Sequence, residues 1–470
     1  MAQHYDLVVI GGGPGGYVAA AHAAQKGWKV ALVEKEKVGG ICLHKGCIPS
    51  KSLLKSAEMY HVIKESTSYG VETESVRLNM ELVQKRKAEV VDRLYQRVNN
   101  LLRGRKVDIY HGTGRLMGPS IFSPLAGGAI AVEKQEGEAE MLVPKFVLLA
   151  TGSRPRMLRG LEVDHTHILT SDDALELQEL PASMLIVGGG AIGVEWASML
   201  SDMGVQVVLV EYADRILPLE DEEISMEMKR ILEKRNVTIW TNAHVEAHSV
   251  HIEDGQVTLS IIRNDSDTEH TITINQVLVS VGRDANTEDL GLDNTNIQVE
   301  RGIIQVNHSY QTAESHVYAI GDVIGGYQLA HVASREGILA VNHMMGEEID
   351  LVNPSQVPRC TYSRPEIASI GLTEEAAKEQ GYDVATSKYP LRYLGKPLVY
   401  GNADGFIKIV GDKKTQDLLG VHLIGVQATE LIATASLAKF LDASPWEIGQ
   451  VIFPHPTFSE VFGEVTQGYK

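Results

Sequence analysis

A glycine-rich motif that occurs twice constrains the fold of this chain more than any other feature. Each copy starts with a short apolar run, passes through Gly-x-Gly-x-x-Gly into a helix of small residues, and ends in a second apolar run. The pattern is typical of a strand, a tight turn and a helix whose N-terminus binds a pyrophosphate. The two copies begin 177 residues apart, and their glycines are Gly11, Gly13 and Gly16, then Gly188, Gly190 and Gly193.

A carboxylate follows each motif at the spacing expected for a ribose contact. Glu34 and Glu211 each lie 23 residues after the first glycine of their motif, at the end of the second apolar run. Because such a carboxylate accepts from ribose hydroxyls and repels a 2′-phosphate, Glu211 favours NAD over NADP. Arg215, four residues after Glu211, is a weaker argument in favour of NADP. One motif alone is compatible with a simple tight turn, whereas two complete copies predict two dinucleotide-binding domains.

The composition limits the classes of protein to which this chain can belong. A length of 470 residues is typical of about three domains. The 43 Lys and Arg against 61 Asp and Glu give a net charge of −18, which argues against binding to nucleic acid. We find no apolar stretch of membrane-spanning length and no basic signal region at the N-terminus. Three cysteines exclude a disulfide-stapled fold. We therefore expect a cytoplasmic protein that binds neither nucleic acid nor membrane.

Five further stretches carry local patterns. Apolar residues at helical spacing predict an amphipathic helix over residues 81–102. Alternating apolar and polar residues at 115–150 and 237–283 predict short antiparallel sheets. The basic cluster at 103–106 and the acidic run at 220–223 are expected to be solvated faces.

Two cysteines, Cys42 and Cys47, admit three interpretations from the residues alone: a metal site with His44, a redox pair, or two buried thiols. A metal site lacks a second cluster of ligands. Pro49 suits the first turn of a helix, which would place Cys47 at a helix N-terminus where a thiolate is stabilised. A regular helix would separate the two Cα atoms by about 7.5 Å, more than the ~4.4–6.8 Å of a disulfide. A disulfide therefore requires an irregular segment, which Gly46 permits.

Lys51, His455 and Glu460 are further candidate functional residues. Lys51 follows Cys47 by four residues, on the same helical face. His455 lies between two prolines, and Glu460 follows it at a distance that allows a carboxylate to orient the imidazole. From the pattern, His455 is either a general base or an ordinary hydrogen-bonded surface histidine.

Taken together, these residues resemble the flavin-dependent pyridine-nucleotide disulfide oxidoreductases, and within them the dihydrolipoamide dehydrogenases. The tract WASMLSDMGVQVVLVEYADRILPLED is most similar to the branch that serves branched-chain 2-oxo acid dehydrogenase complexes. The segments that carry the family resemblance are GGGPGG, GGICLHKGCIPSK, ATGSRPR, GGGAIGVE, VGRDANT, YAIGD, LAHVASREG and HPTFSE.

The resemblance implies an α/β fold with two Rossmann-like dinucleotide-binding domains plus a C-terminal α+β interface domain. The implied segments are 1–150 (FAD-binding, with the redox disulfide), 151–281 (NAD-binding), 282–350 (completing the FAD domain) and 351–470 (dimerisation). One non-covalent FAD per subunit is expected on the first motif and NAD on the second. The implied partners are a second copy of the chain, and the lipoyl domain and acyltransferase core of a 2-oxo acid dehydrogenase complex.

Roles follow residue by residue from the resemblance, and no metal is among them. Cys42 resembles the interchange thiol, Cys47 the thiol against the flavin, and His455 with Glu460 the base dyad. Lys51 and Glu195 match a pair beside the flavin ring, and Asp322 matches the ribitol-binding aspartate. The other implied cofactor-binding positions are Gly114, Thr151, Gly152, Val245, Gly282 and Ala330.

The implied activity is oxidation of protein-bound dihydrolipoamide through a Cys42–Cys47 disulfide and FAD, with reduction of NAD⁺. Two alternatives are another NAD(P)H-dependent disulfide reductase and a non-catalytic flavoprotein subunit. Three features depart from the family pattern. Phe453 stands where many members have His, Ala285 replaces a usual Pro, and the chain ends ten residues after Glu460, so packing around the dyad is expected to differ.

Overall fold

The computed structural model describes residues 3–118, 128–134 and 137–469, and it divides the chain into two compact units. Two of the five boundaries between the units fall inside helices, Cys47–Lys64 and Met80–Gly104. The predicted division into four segments stays a prediction. The first unit comprises Met1–Ser52, Gln84–Arg156 and Arg283–Val352, and the second comprises Leu53–Val83, Met157–Gly282 and Asn353–Lys470.

A seven-stranded sheet lies at the centre of the first unit. Five strands pair in parallel, in the order Asp108–His111, Val30–Glu34, Gln3–Ile10, Glu140–Leu149 and Val317–Ala319. The sheet continues in antiparallel pairing from Glu140–Leu149 through Ala129–Glu133 to Thr113–Met117. Further elements are the strand pairs Ser153–Pro155 with Arg283–Ala285 and Val299–Glu300 with Ile303–Ile304, the helices Pro14–Gln25, Gly40–His44 and Ala330–Met344, and the 3₁₀ turns Leu292–Asn294 and Gly321–Ile324.

Both faces of this sheet are buried, which explains its continuous apolar strands. Leu7 and Val9 belong to one apolar cluster, with the alanines of helix Pro14–Gln25. The alternate residues Val8 and Ile10 belong to a second cluster. Side chains of a strand alternate between faces, so a strand covered on both sides needs apolar residues throughout.

The second unit contains the second Rossmann-like sheet and an adjoining antiparallel sheet. The parallel strands pair in the order Thr238–Trp240, Gln206–Val210, Ser183–Val187, Gln276–Val279 and Ile168–Thr170. The antiparallel strands are Ala243–Glu253, Gln256–Arg263 and Glu269–Ile274. The helices of this part are Ser171–Ala174, Ala191–Met203 and Glu222–Lys234, and a 3₁₀ turn lies earlier in the chain at Ser66–Tyr69.

The C-terminal part of the second unit is an antiparallel sheet with helices. Its strands pair in the order Arg359–Thr361, Glu366–Gly371, Leu418–Gly425, Phe406–Asp412 and Val384–Pro390. The helices are Glu374–Glu379, Gly395–Val399, Ala428–Phe440, Pro445–Gly449 and Glu460–Gln467, and the 3₁₀ turns are Pro354–Gln356 and Leu391–Tyr393. With two Rossmann-like sheets and this α+β part, the predicted fold class is confirmed.

Two local predictions are partly wrong. The amphipathic helix is present as Met80–Gly104, but Leu82 and Leu101 are exposed, and Leu102 is the fully buried leucine near its end. In the stretch 237–283, the outer strands Thr238–Trp240 and Gln276–Val279 are parallel members of the Rossmann-like sheet, because they pair with the strands beside the glycine motif.

The stretch predicted as antiparallel at 115–150 is confirmed where it is described. The strands Thr113–Met117, Ala129–Glu133 and Glu140–Leu149 pair in that sense, although Glu140–Leu149 also pairs in parallel with Gln3–Ile10. Residues 119–127 and 135–136 lie outside the described residues.

The acidic run at 220–223 is only partly the solvated face that was expected, because Glu222 is exposed but the first two acids of the run are buried. Glu220 and Asp221 are 7% and 2% exposed. Glu220 accepts a hydrogen bond from Ser369 and pairs with Arg359, while both carboxylate oxygens of Asp221 contact the buried amine of Lys408. The buried Lys408 and the half-buried Arg359, both on the C-terminal sheet, therefore compensate the two buried carboxylates. The basic cluster at 103–106 is exposed, as predicted.

Candidate functional site

The two glycine motifs have the same backbone geometry. Gly11 and Gly188 both have φ of 104°, in the region that favours glycine. A Cβ added to Gly16 would lie 1.9 Å from the Gly11 carbonyl oxygen, and one added to Gly193 would lie 1.9 Å from the Gly188 oxygen. Each third glycine therefore allows its helix to pack against its strand, as the motif predicts.

The acidic residue of each motif holds its glycine turn. Glu34 Oε2 accepts from the Gly12 N–H at 2.7 Å, and Glu211 Oε2 accepts from the Gly189 N–H at 2.6 Å. The other oxygen of each carboxylate accepts from a backbone N–H two residues further along the chain, at 2.8 and 2.7 Å. The carboxylates thus lie at the turns, where a ribose would follow a pyrophosphate bound to the helix N-terminus.

Both turns have the space that a dinucleotide needs. An added Cβ would meet no heavy atom within 4 Å at Gly190, and its nearest neighbour at Gly13 would be 3.9 Å away. Gly13 and Gly190 are the N-cap residues of the helices Pro14–Gln25 and Ala191–Met203, and neither end carries a side-chain cap. The uncapped N–H groups and the open turns fit the phosphates of FAD and NAD.

The cysteine segment is interrupted where the disulfide argument requires it. A short helix, Gly40–His44, ends before Gly46, and a new helix starts at Cys47. An added Cβ at Gly46 would lie 3.1 Å from the Ile41 carbonyl oxygen, so the glycine permits a close approach of the chain. Cys47 therefore lies at a helix N-terminus, with Pro49 in the first turn, as predicted.

Cys42 and Cys47 are both thiols in this structure. A hydrogen bond to the Cys47 sulfur, together with burial, raises the pKa of the Cys42 thiol. The charge of Lys51 lowers the pKa of the Cys42 thiol and the charge of Asp322 raises it, so both residues lie near the cysteine pair. The arrangement favours the protonated form of Cys42, and Cys47 lies at the helix N-terminus.

Asp322 is held by two residues that sequence reasoning did not identify. The Ser153 hydroxyl donates to Asp322 Oδ2, and Arg283 Nε donates to the Ser153 oxygen at 2.8 Å. The Gly321 N–H, one residue before Asp322, donates to Glu336 Oε2 at 2.7 Å. Burial raises the pKa of Glu336. Ser153 and Arg283 lie inside the ATGSRPR and VGRDANT segments, so the family resemblance was the available signal.

The other positions implied to bind cofactor are distributed over both units. In the first unit, Thr151 is hydrogen-bonded to Asn286 by its side chain and its carbonyl, and Gly152 has φ of 68°. In the second unit, Val245 is 5% exposed and belongs to an apolar cluster. Gly114 lies in strand Thr113–Met117, Ala330 begins helix Ala330–Met344, and Gly282 has φ of 119°.

His455 and Glu460 form the predicted pair. His455 Nδ1 lies 2.7 Å from Glu460 Oε1, and the Thr457 N–H donates to Glu460 Oε2 at 2.8 Å. The hydrogen bond to His455 and then that from Thr457 lower the pKa of Glu460. The departure at Phe453 does not break the pair, since Phe453 stacks on Phe462 with ring centroids 6.2 Å apart.

Glu195 lies in helix Ala191–Met203 and is 8% exposed. Its Oε1 accepts from the Tyr362 N–H at 2.9 Å. Three residues further along the helix, the Ser198 hydroxyl accepts from the Arg364 N–H at 2.9 Å. The segment around Tyr362 therefore fixes Glu195, a contact that no spacing in the sequence indicates. Lys51 belongs to the first unit and Glu195 to the second, so their predicted pairing remains a proposal.

Comparison with known proteins identifies the family of this chain. Residues 5–337 match the pyridine nucleotide-disulphide oxidoreductases, and residues 357–466 match the dimerisation domain of that family. A dihydrolipoyl dehydrogenase of Bacillus subtilis is 57% identical over 465 residues, covering 99% of this chain and 98% of that protein. A dihydrolipoyl dehydrogenase of Zymomonas mobilis is 41% identical and covers 99% and 97%.

Solved structures agree with this result. LpdA from Mycobacterium tuberculosis superposes with a TM-score of 0.91 at 26% identity, over 99% of both chains. The HOCl-induced flavoprotein disulfide reductase RclA from Escherichia coli gives 0.86 at 26% identity, over 98% of this chain and 99% of the other.

These similarities extend over both glycine motifs, the cysteine segment and the C-terminal part. They confirm the family, the enzyme class and the FAD and NAD cofactors that the sequence predicted. Across the described ranges, no helix combines the length and apolarity that a membrane span needs. The chain belongs to the pyridine nucleotide-disulphide oxidoreductases and, within that family, to the dihydrolipoyl dehydrogenases.

Proposed function

We propose that the protein oxidises dihydrolipoamide on a carrier protein and reduces NAD⁺, with Cys42, Cys47, His455 and Glu460 as the reacting and proton-handling residues. The observation that carries the assignment is the Cys42–Cys47 pair. One sulfur hydrogen-bonds the other, and Cys47 lies at the N-terminus of a helix. This arrangement suits a disulfide that opens to a protonated interchange thiol and a stabilised thiolate.

The thiol chemistry starts from the Cys42–Cys47 disulfide. His455 Nε2 takes a proton from one substrate thiol, and the thiolate attacks Cys42 Sγ. The Cys42–Cys47 bond breaks, and Cys47 leaves as a thiolate. The second substrate sulfur, as its proton passes to Cys42, then attacks the substrate sulfur bound to Cys42, which breaks that mixed disulfide, closes lipoamide and leaves Cys42 as a thiol. Two substrate thiols become a disulfide, and the protein disulfide becomes a thiol at Cys42 and a thiolate at Cys47, with the other proton on His455.

Glu460 acts on His455 rather than on substrate. Its carboxylate accepts from Nδ1–H, which fixes the tautomer that has a lone pair on Nε2 and stabilises the imidazolium once the proton is taken. The Thr457 N–H keeps the second carboxylate oxygen in place.

The first glycine turn, Glu34 and Asp322 would hold FAD, and the second turn with Glu211 would hold NAD. Bound FAD would supply the two-electron redox chemistry that links the reduced cysteines to NAD⁺. Lys51 and Glu195 would set the charge beside the flavin ring.

We propose a homodimer in which His455 of one subunit serves Cys42 of the other. Support comes from the match of residues 357–466 to a dimerisation domain and from the exposed His455 side chain, 76% accessible in a single chain. A two-fold arrangement would complete both active sites at once.

Mixed subunits test this arrangement. Cys47→Ser and His455→Ala proteins are each nearly inactive alone. After random exchange, half of the dimers are mixed, and each has one site with both residues intact. About a quarter of wild-type activity should return, by the two-fold symmetry. No recovery in verified mixed dimers would show that the base acts within its own chain.

We further propose that the protein serves a branched-chain 2-oxo acid dehydrogenase complex in the cytoplasm. The support is the resemblance of the tract 196–221 to that branch. Turnover of lipoylated carrier domains from branched-chain and pyruvate complexes, compared by kcat/KM, tests the assignment. Equal values for both carriers would contradict it.

A further inference from the structure

One exposed stretch of the chain has a charge opposite to that of the whole protein. Residues 93–106 contain five bases and no acid, although the net charge of the chain is −18. The bases are exposed, and none of them forms an ion pair with a residue that the structure describes. We call Arg93, Arg97, Arg103, Arg105 and Lys106 the basic helix surface.

The basic helix surface lies beside the cysteine segment. Arg86, earlier in the same helix, donates from Nη1 to the Ser52 hydroxyl at 2.8 Å. Tyr95 packs edge-on against His44, with ring centroids 5.5 Å apart. His44 is two residues from Cys42. The helix therefore runs along residues 44–52, and Arg93 and Arg97, each two residues from Tyr95, lie on the other side of the helix from this tyrosine.

A groove adjoins the same helix. Its volume is about 430 Å³, and it lies against the strand Asp108–His111, the outermost strand of the seven-stranded sheet. The carboxylate of Asp108, the acidic residue among the groove residues, accepts from the Tyr5 hydroxyl at 2.9 Å. The groove residues used here are Tyr95, Gln96, Asn99, Arg103 and His111.

The excess of positive charge over residues 93–106 favours an acidic partner. Opposite charges on two surfaces raise the rate of encounter and fix orientation more than they raise final affinity. A carrier that must reach Cys42 repeatedly and leave again benefits from such steering. Nucleic acid is disfavoured, because the large net negative charge of the chain repels phosphate backbones.

We propose that the basic helix surface and the adjoining groove receive the acidic face of the carrier domain that presents dihydrolipoamide. This inference rests on the proposed function, because it concerns delivery of substrate to the same cysteine pair. Arg93 and Arg103, ten residues apart in one helix, span about 15 Å. That span is about half the ~30 Å diameter of a small domain.

Charge reversal separates docking from chemistry. The variant carries Arg93→Glu, Arg97→Glu and Arg103→Glu in the FAD-loaded protein. The substrates are free dihydrolipoamide and an isolated lipoylated domain of net negative charge, reduced beforehand. We expect KM for the domain to rise about tenfold or more at low salt. Turnover of free dihydrolipoamide should stay within about twofold, since surface substitutions seldom disturb the fold.

A matched control carries the same change in charge at scattered exposed sites, Lys234→Glu, Arg301→Glu and Lys414→Glu. It should behave as wild type toward both substrates. The KM of wild type for the domain should also rise with salt, whereas that of the triple variant should not.

Two outcomes would overturn the inference while leaving the proposed function intact. One is an unchanged KM for the domain in the triple variant. The other is loss of binding to an RNA oligonucleotide with no change in that KM, which would assign the surface to nucleic acid. By contrast, failure of wild type to turn over free dihydrolipoamide would overturn the proposed function itself.

Discussion

His455 Nδ1 lies 2.7 Å from Glu460 Oε1, while the backbone N–H of Thr457 holds the other carboxylate oxygen of Glu460. Nδ1 of the imidazole is thus occupied by a fixed carboxylate. The other ring nitrogen, Nε2, belongs to a side chain that is 76% exposed in the single chain. A histidine oriented in this way is suited to take protons from a thiol that approaches from outside the chain.

Removal of the base should affect only the thiol half of the reaction. His455→Gln should lower kcat/KM for dihydrolipoamide by about 10²–10⁴-fold, the usual contribution of a general base. Glu460→Gln should cause a smaller loss, because the imidazole remains. NADH-dependent reduction of ferricyanide, which needs no thiol base, should be unchanged in both variants. Equal losses in the two assays would contradict the assigned role.

The two glycine motifs allow a matched test of which cofactor each one binds. Gly16→Ala and Gly193→Ala each place a Cβ 1.9 Å from a backbone oxygen, a clash that a side-chain movement cannot relieve. Gly16→Ala should purify without flavin absorbance. Gly193→Ala should keep the flavin and raise KM for NAD⁺ at least about tenfold, equivalent to 1.4 kcal/mol.

Gly104→Ala serves as the control for these variants, since an added Cβ there meets nothing within 4 Å. It should match wild type in flavin content and in KM for NAD⁺. Loss of flavin in Gly193→Ala with retention in Gly16→Ala would reverse the assignment of the two motifs.

Lys408 stabilises the join between the helix Glu222–Lys234 and the C-terminal sheet. Its side chain is 3% exposed, and its amine lies 3.0 Å from Asp221, 2.9 Å from Glu223 and 2.7 Å from Glu374. Lys408→Met should lower the free energy of unfolding by about 3–5 kcal/mol, because it leaves the buried carboxylate of Asp221 without its cation. Denaturant melts measure the loss.

A second variant distinguishes lost charge pairing from lost packing. Asp221→Asn in the Lys408→Met background should recover part of the stability, since it removes the most buried of the three anions. A further loss of stability in the double variant would show that packing, not charge, dominates at this join.

His422 should make the protein less stable in mild acid. The ring is fully buried, one nitrogen contacts the Leu372 carbonyl oxygen at 2.9 Å, and burial lowers the pKa of the imidazole despite the nearby Asp221. Below the unfolded pKa of about 6.5, the unfolded chain binds a proton that the folded chain excludes. As the pH decreases below about 6.5, the free energy of unfolding should therefore decrease by up to about 1.4 kcal/mol per pH unit. The decrease should end when the pH reaches the lowered pKa of His422 in the folded state.

His422→Gln tests this dependence. The amide still donates to the Leu372 oxygen but does not titrate, so the slope of stability between pH 6.5 and 5 should flatten even if absolute stability falls. Thermal melts across that range measure the slope. A variant with the slope of wild type would show that other groups cause the acid sensitivity.

Features encoded by local spacing were predictable from the sequence. The glycine turns, the position of Cys47 at a helix start and the His455–Glu460 contact each depend on residues within a few positions of one another. Backbone sterics and helix geometry then determine their arrangement. The strands next to the glycine turns were predictable as well, because each is a continuous apolar run.

Features that depend on distant partners were not predictable. Residues 220–223 were expected to be solvated because four acids in a row are usually exposed, but their buried partner, Lys408, lies 187 positions from Asp221. Likewise, Ser153 and Asp322 are 169 positions apart, and no local pattern indicates their hydrogen bond. Such pairings depend on sheet topology, which spacing alone does not determine.

The central claim is that dihydrolipoamide reduces the Cys42–Cys47 pair and leaves Cys47 as a thiolate beside FAD. Anaerobic titration of the FAD-loaded protein with dihydrolipoamide, followed by visible spectroscopy, tests it most directly. Wild type should develop a long-wavelength thiolate-to-flavin absorption band. Cys42→Ser should show the band before substrate is added, and Cys47→Ser should never show it. A Cys47→Ser protein with the band and full turnover would contradict the account.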